Sequence, residues 1–248
     1  MPTIQELKKS AHTPRRDLMY RFMGNLAYYP AKVLIYFPIT PNQVTILWIL
    51  GQILSSLLLL SPNFIHKIIG LIAFQSFFII DCSDGIIARY KKQFSLNGIY
   101  LDRVGHYIAN SVLLICYTIS IYQSTLDIKI IGIGALAIIT FLLNKSITLN
   151  PSWYPKHQRE YITESSEKSL LKNQPTFIYN IFALFRLEYF LNVMFFGTLF
   201  NLMYETLTLY AILFSLELAR KIIAQYNQNK KKDTEISTFS LPENDFSH

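Results

Sequence analysis

The chain has 248 residues, of which 51% are hydrophobic and 15% aromatic, and its mean hydropathy of +0.27 excludes an ordinary soluble domain of that length. Its two cysteines, Cys82 and Cys116, sit in apolar runs without Cys-x-x-Cys spacing, so neither a disulfide framework nor a zinc knuckle is supported. The net charge of +7 would suit nucleic acid, but basic residues around apolar spans set membrane orientation and meet anionic lipid head groups, so the expected partner is a lipid bilayer and not a nucleic acid.

The composition and the run of apolar segments predict an all-α, polytopic membrane protein: six transmembrane helices preceded by an amphipathic interfacial helix. Residues 1–38 form a cytoplasmic N-terminal segment, 39–226 the six-span domain and 227–248 a disordered cytoplasmic tail. The N-terminal stretch carries Lys8, Lys9, Arg15, Arg16 and Arg21 with no compact apolar core, so no cleavable signal is expected. From Arg15 to about Phe37 charges alternate with aromatics, which suits a helix lying in the membrane interface, divided or kinked at Pro30; a soluble cap folded on the spans is the alternative.

Thr40 and Pro41 open the first span as N-cap and first helical residue, and Ser61-Pro62-Asn63 closes it. The second span begins near Ile65 and continues as helix to about Lys92. A turn over Gln93 to Leu96 leads into the third, from about Gly98 to Tyr122, so that the second and third spans form a hairpin. The fourth covers about Ile128 to Leu143, and a polar segment from Asn144 to Pro175 separates it from the fifth (Thr176 to Leu202) and sixth (Glu205 to Tyr226). With both termini cytoplasmic, twenty Lys and Arg fall inside, only Lys67 and Lys129 outside, and Arg186 within a span. Glu217 has Arg220 and Lys221 three and four residues on, the spacing of a local ion pair. Trp48 and Trp153 are assigned to the core or the interfacial belt.

The charges that stand out lie between Asp81 and His106. Asp81 and Asp84 are three residues apart, Asp102 and His106 four apart, so on two helices each pair projects from one face. Left unpaired beside apolar spans, three carboxylates and an imidazole would cost several kcal/mol. A divalent cation is the simplest compensation, and a pyrophosphate is the kind of substrate for which carboxylate-held hard cations are used. Gly85, Ala88 and Gly98 lack bulk, which would admit a nucleotide or allow close helix packing. Arg89 can meet a phosphate or anchor the span at the interface.

The run Asp81-x-x-Asp84-Gly85-x-x-Ala88-Arg89, eight residues, Gly98-x-x-x-Asp102 resembles the signature of the CDP-alcohol phosphatidyltransferases. The segment Thr40-Pro41-Asn42-Gln43-Val44-Thr45 is similar to the one that often opens that family's first span. The resemblance covers nearly the whole chain. It implies transfer of a phosphatidyl or phosphoalcohol group from a CDP-linked donor (CDP-diacylglycerol or a CDP-alcohol) to a hydroxyl acceptor with release of CMP, in phospholipid or related head-group synthesis. It also implies a two-ion site for Mg2+ or Mn2+ held by Asp81, Asp84, Asp102 and His106. Asn42, Thr45, Gly85, Ala88, Arg89 and Gly98 would contact the donor nucleotide, and a homodimer is the common assembly of such proteins. Arg186, which pairs poorly with Glu188 two residues on, is a candidate contact for the acceptor's phosphate or one side of a structural ion pair.

His106 departs from that signature, which has a further Asp there. A neutral imidazole with an unperturbed pKa of about 6.5 can take the acceptor's proton. It is a poorer ligand for magnesium than for softer ions, so either the metal preference or the second metal position is expected to change. The alternative is a catalytically silent relative that keeps the fold as a membrane binding or assembly partner.

Overall fold

The computed structural model describes residues 2–10, 18–93, 95–146 and 187–238. Among these there is no strand, and the α-helices in chain order are α1 (Ile4–Ser10), α2 (Leu18–Leu26), α3 (Tyr28–Leu34), α4 (Pro41–Leu57), α5 (Phe64–Lys91), α6 (Leu96–Thr125), α7 (Lys129–Ser146), α8 (Leu187–Leu199) and α9 (Met203–Thr238). Four are long and apolar enough to cross a membrane: α4 with the short 3-10 turn that follows it, α5, α6 and α7. The fold is therefore all-α and multi-pass. Of the other two expected spans, the fifth begins outside the described residues and is represented by α8, 13 residues long. The sixth coincides with α9, whose apolar run is interrupted by Glu217, Arg220 and Lys221.

The start of α4 follows the sequence expectation. Thr40 Oγ1 accepts from the Gln43 backbone N–H at 3.3 Å, the Gln43 side chain accepts from the Thr40 N–H at 2.8 Å, and Pro41 occupies the first helical position. Two orphan donors are thus satisfied at the point where the chain enters the bundle. Two differences from expectation have local causes. The division of the N-terminal helical region falls at Ala27, between α2 and α3, which leaves Pro30 in the first turn of α3, where a missing N–H costs least. The last helix does not stop near Tyr226 but runs to Thr238, so most of the expected disordered tail is helical. Its Gln, Lys and Glu residues are good helix formers with no Gly or Pro among them, and Gln225 Nε2 donates to Asn229 Oδ1 at 2.8 Å across one turn.

The N-terminal helices dock on α5. Met23, Ala27, Tyr28 and Ala31 are buried, and Ser83 Oγ of α5 donates to the Ala27 carbonyl at 2.9 Å. Phe22, Tyr29, Val33, Tyr36 and Phe37 remain exposed, an apolar and aromatic face that suits the membrane interface.

Within the bundle, α4 packs against both α5 and α6, whereas direct contact between α5 and α6 is sparse. The expected hairpin is present in connectivity, but its two helices are held by α4 more than by each other. Close approach depends on small residues, since lipid supplies no hydrophobic drive for helix association. A side chain added at Gly70 of α5 would meet the Ser55 carbonyl oxygen of α4 at 2.7 Å, and one at Gly105 of α6 would meet the Trp48 ring of α4 at 2.9 Å. Helix α7 packs on α6 and α9, and Asn144 Nδ2 donates to the Phe214 carbonyl at 2.7 Å. As the spacing predicts, Glu217 pairs locally: Arg220 Nε lies 2.7 Å and Lys221 Nζ 3.9 Å from its carboxylate.

Gly70→Ala is expected to lower thermal stability in detergent by about 1–3 kcal/mol, because the obstructing atom is backbone and α4 must move. Gly132→Ala, whose added methyl meets nothing within 4 Å, should leave the unfolding temperature unchanged or raise it.

Candidate metal centre between three helices

The motif residues come together at the end of the bundle where α4 and α6 begin and α5 ends. Helix α5 stops at Lys92, whose backbone is left-handed (φ 52°), and Lys91 Nζ donates to the Ile39 carbonyl at 2.8 Å, tying the end of α5 to the entry of α4. Ser95 then caps α6: its hydroxyl accepts from the Gly98 N–H at 2.9 Å and donates to Asn42 Oδ1 at 3.2 Å. One hydroxyl therefore starts α6 and anchors it to the first turn of α4.

Across this frame three side chains converge. His106 Nε2 of α6 lies 3.6 Å from Asp81 Oδ2 of α5 and 3.6 Å from Asp102 Oδ1 one turn back on its own helix. One ligand atom from each of Asp81, Asp102 and His106 lies within 4.8 Å of the others, and no other such group of His, Cys, Asp or Glu occurs among the described residues. Asp81 is buried, whereas the Asp102 side chain is 44% exposed, so the group opens on one side. The imidazole separations exceed hydrogen-bonding distance, yet suit a single hard cation with ligands at roughly 2.0–2.3 Å. The imidazole's other nitrogen, Nδ1, is buried with no hydrogen-bond partner among the described residues. Nε2 is thus the atom that meets anything bound here. Two carboxylates and an imidazole fit a divalent ion, and imidazole favours manganese over magnesium.

Asp84, expected in the same cluster, stands beside it. Its Oδ2 accepts from Thr45 Oγ1 at 2.8 Å and from Trp48 Nε1 at 3.3 Å, both on α4. Thr45 thus meets a carboxylate of the motif, and the Asn42 amide lies against Gly98. The space over Gly85 is filled by the Arg89 guanidinium, which a side chain at position 85 would meet at 3.3 Å. In this state the bare positions of the motif serve close packing, and Ala88 lies half-buried three residues beyond Gly85 on the same helix. Arg186 lies outside the described residues.

Two residues near the centre are not marked as part of the site by the sequence, although Trp48 is expected in the core or belt and is in the core. Trp48, fully buried, donates to Asp84 and sets its ring against the imidazole of His106, with centroids 4.9 Å apart and planes inclined by 36°. Asn110, also fully buried, donates from Nδ2 to the His106 carbonyl at 2.7 Å. Each is signalled only by register: Trp48 lies three residues past Thr45, and Asn110 four past His106, so each continues the face of a motif residue.

Comparison with known proteins bears on the same region. No curated protein matches the chain. The family model for CDP-alcohol phosphatidyltransferase matches residues 38–219. That family is one of transferases that move a head group from a CDP-alcohol. The match contains the whole of α4, α5 and α6, the helices that build the site, and on that extent the chain belongs to the CDP-alcohol phosphatidyltransferase family.

Proposed function

We propose that the protein transfers a phosphatidyl or phosphoalcohol group from a CDP-linked donor to a hydroxyl acceptor, releasing CMP, in phospholipid or related head-group synthesis. The observation that carries this reading is the convergence of Asp81, Asp102 and His106, within a chain of this family, at the mouth of the bundle. The acceptor oxygen bonds to the donor phosphorus that carries the lipid or alcohol, the bond from that phosphorus to the bridging oxygen breaks, and CMP leaves with the bridging oxygen. His106 Nε2 takes the acceptor's proton, a task within reach of a neutral imidazole near neutral pH.

A divalent ion, Mg2+ or Mn2+, would neutralise the pyrophosphate and stabilise the charge developing on the leaving phosphate. Asp81 and Asp102 would hold it, with Asp84 beside them, its Oδ2 kept by Thr45 and Trp48. Arg89, folded over Gly85, is the motif cation available to the donor's phosphates. The excess of basic residues at this end supports a cytoplasmic site and cytoplasmic termini.

A second reading is favoured by the 3.6 Å separations: His106 is itself an ion ligand. One lone pair on Nε2 does not hold an ion and take a proton at the same moment, so the two readings differ in what a substitution removes. His106→Ala is expected to abolish CMP release while Mn2+ affinity stays near that of the unsubstituted protein, measured by electron paramagnetic resonance; a parallel loss of Mn2+ binding would instead favour the ligand role. Asp81→Asn should remove both activities, and retention of CMP release would contradict the site. His106→Asp is expected to move the Mg2+ to Mn2+ activity ratio toward magnesium, since a carboxylate is the harder ligand. Absence of CMP release from every CDP-linked donor tried with either ion would favour the silent relative.

A further inference from the structure

The two halves of the site stand on helices whose backbones approach each other at few points, although Asp81 and His106 meet between them. Asp81 and Asp84 are on α5, Asp102 and His106 on α6, and α4 packs against both. Their spacing is therefore set through α4. From α4, Trp48 meets a charged or titratable group on each side: its indole N–H donates to Asp84 Oδ2 of α5 at 3.3 Å, and its ring centroid lies 4.9 Å from that of the imidazole of His106 on α6. Thr45 donates to Asp84 of α5 and to the Pro41 carbonyl of its own helix, and Ile49 lies against Gly105 of α6.

The geometry points to Trp48 as the positioning residue that holds the α5 and α6 halves of the ion site in register, a reading that rests on the ion site proposed above. The physical case has three parts. Trp48 is fully buried, so its ring is enclosed by packed neighbours. A tryptophan at this depth needs a partner for its N–H, and a carboxylate is the strongest acceptor available; the bond holds Asp84 Oδ2 toward α4 and so fixes the orientation of the carboxylate. The ring then packs against the imidazole, whose Nε2 lies 3.6 Å from Asp81 and Asp102 and whose Nδ1 is buried, and so limits how the imidazole can turn. Gly105, one residue before His106, is what allows α6 to come this close, since any side chain there would meet Trp48 and Ile49. A residue of this chain outside the recognised signature thus binds a signature carboxylate to the histidine that departs from it.

The test compares Trp48→Phe and Trp48→Leu in the full-length protein, alone and with Asp84→Asn, reading Mn2+ affinity by electron paramagnetic resonance, the unfolding temperature, and CMP release. Phenylalanine keeps a ring against His106 and loses the N–H; leucine loses both. Trp48→Phe is expected to weaken Mn2+ binding about tenfold, the effect of removing a hydrogen bond to a charged group, with little change in unfolding temperature. Trp48→Leu should weaken it further. In the Asp84→Asn background the Trp48→Phe effect should largely disappear, because the N–H has lost its charged partner. Mn2+ affinity unaffected by Trp48→Phe, an equal effect with and without Asp84, or no Mn2+ binding by the unsubstituted protein would each overturn the assignment. Failure of the transferase reading is distinguishable: the unsubstituted protein would then bind Mn2+ in a Trp48-dependent way and release no CMP. An active enzyme that Trp48→Phe leaves unchanged in Mn2+ binding would retain the function and refute the positioning role.

Discussion

The arrangement depends on the close packing of α4 against two helices at once. In lipid, apolar side chains gain little by moving from tails to a protein interface, so helices associate through van der Waals contact and the few polar bonds they can form. Gly70 lets the Ser55 carbonyl approach α5, and Gly105 lets Trp48 and Ile49 approach α6. With α4 seated, α5 and α6 are positioned with few close backbone approaches of their own, and Asp81, Asp102 and His106 meet between their motif-bearing ends. The site is an opening held by its floor.

Polar bonds then convert that packing into position. The Thr40–Gln43 capping box starts α4, Ser95 ties the start of α6 to Asn42, and Lys91 ties the end of α5 to Ile39. The capping box satisfies groups that the helix start leaves bare, and the Ser95 and Lys91 bonds also fix the height of α6 and α5 against the entry of α4. Charged groups near apolar surroundings are expensive, and here they are gathered at one end of the bundle, where Asp102 is partly exposed and the costs of desolvation are smallest. Farther round the bundle, Lys221 Nζ donates to the Asn144 carbonyl at 2.9 Å and Glu217 holds Arg220, so the α7–α9 ends are closed by the same economy of local pairs.

Much of the fold was legible in order. The α4 cap, the extension of the second span through the motif, the turn before α6 and the Glu217 pair all follow from spacing within one or two helical turns, where propensity and geometry act locally. Errors arose where hydropathy was used to end a helix: α9 continues past Tyr226 because polar residues with good helix propensity need no apolar face to stay helical. The site was legible as a set of residues and less so as a set of partners. Spacing alone groups Asp84 with Asp81 on one helix face, yet its side-chain partners, Thr45 and Trp48, are on α4.

What the sequence determined by itself was the class of protein, the order of its helices, the motif and its family, since these rest on composition, periodicity and spacing along one chain. Only the tertiary structure decided that α4 stands between the two motif helices, that Asp84 turns to Thr45 and Trp48, and that His106 Nε2 faces Asp81 and Asp102. The reason is physical: a pair three or four residues apart is placed by the helix itself, whereas Trp48 and His106, 58 positions apart, meet only because small residues let three helices close on one another.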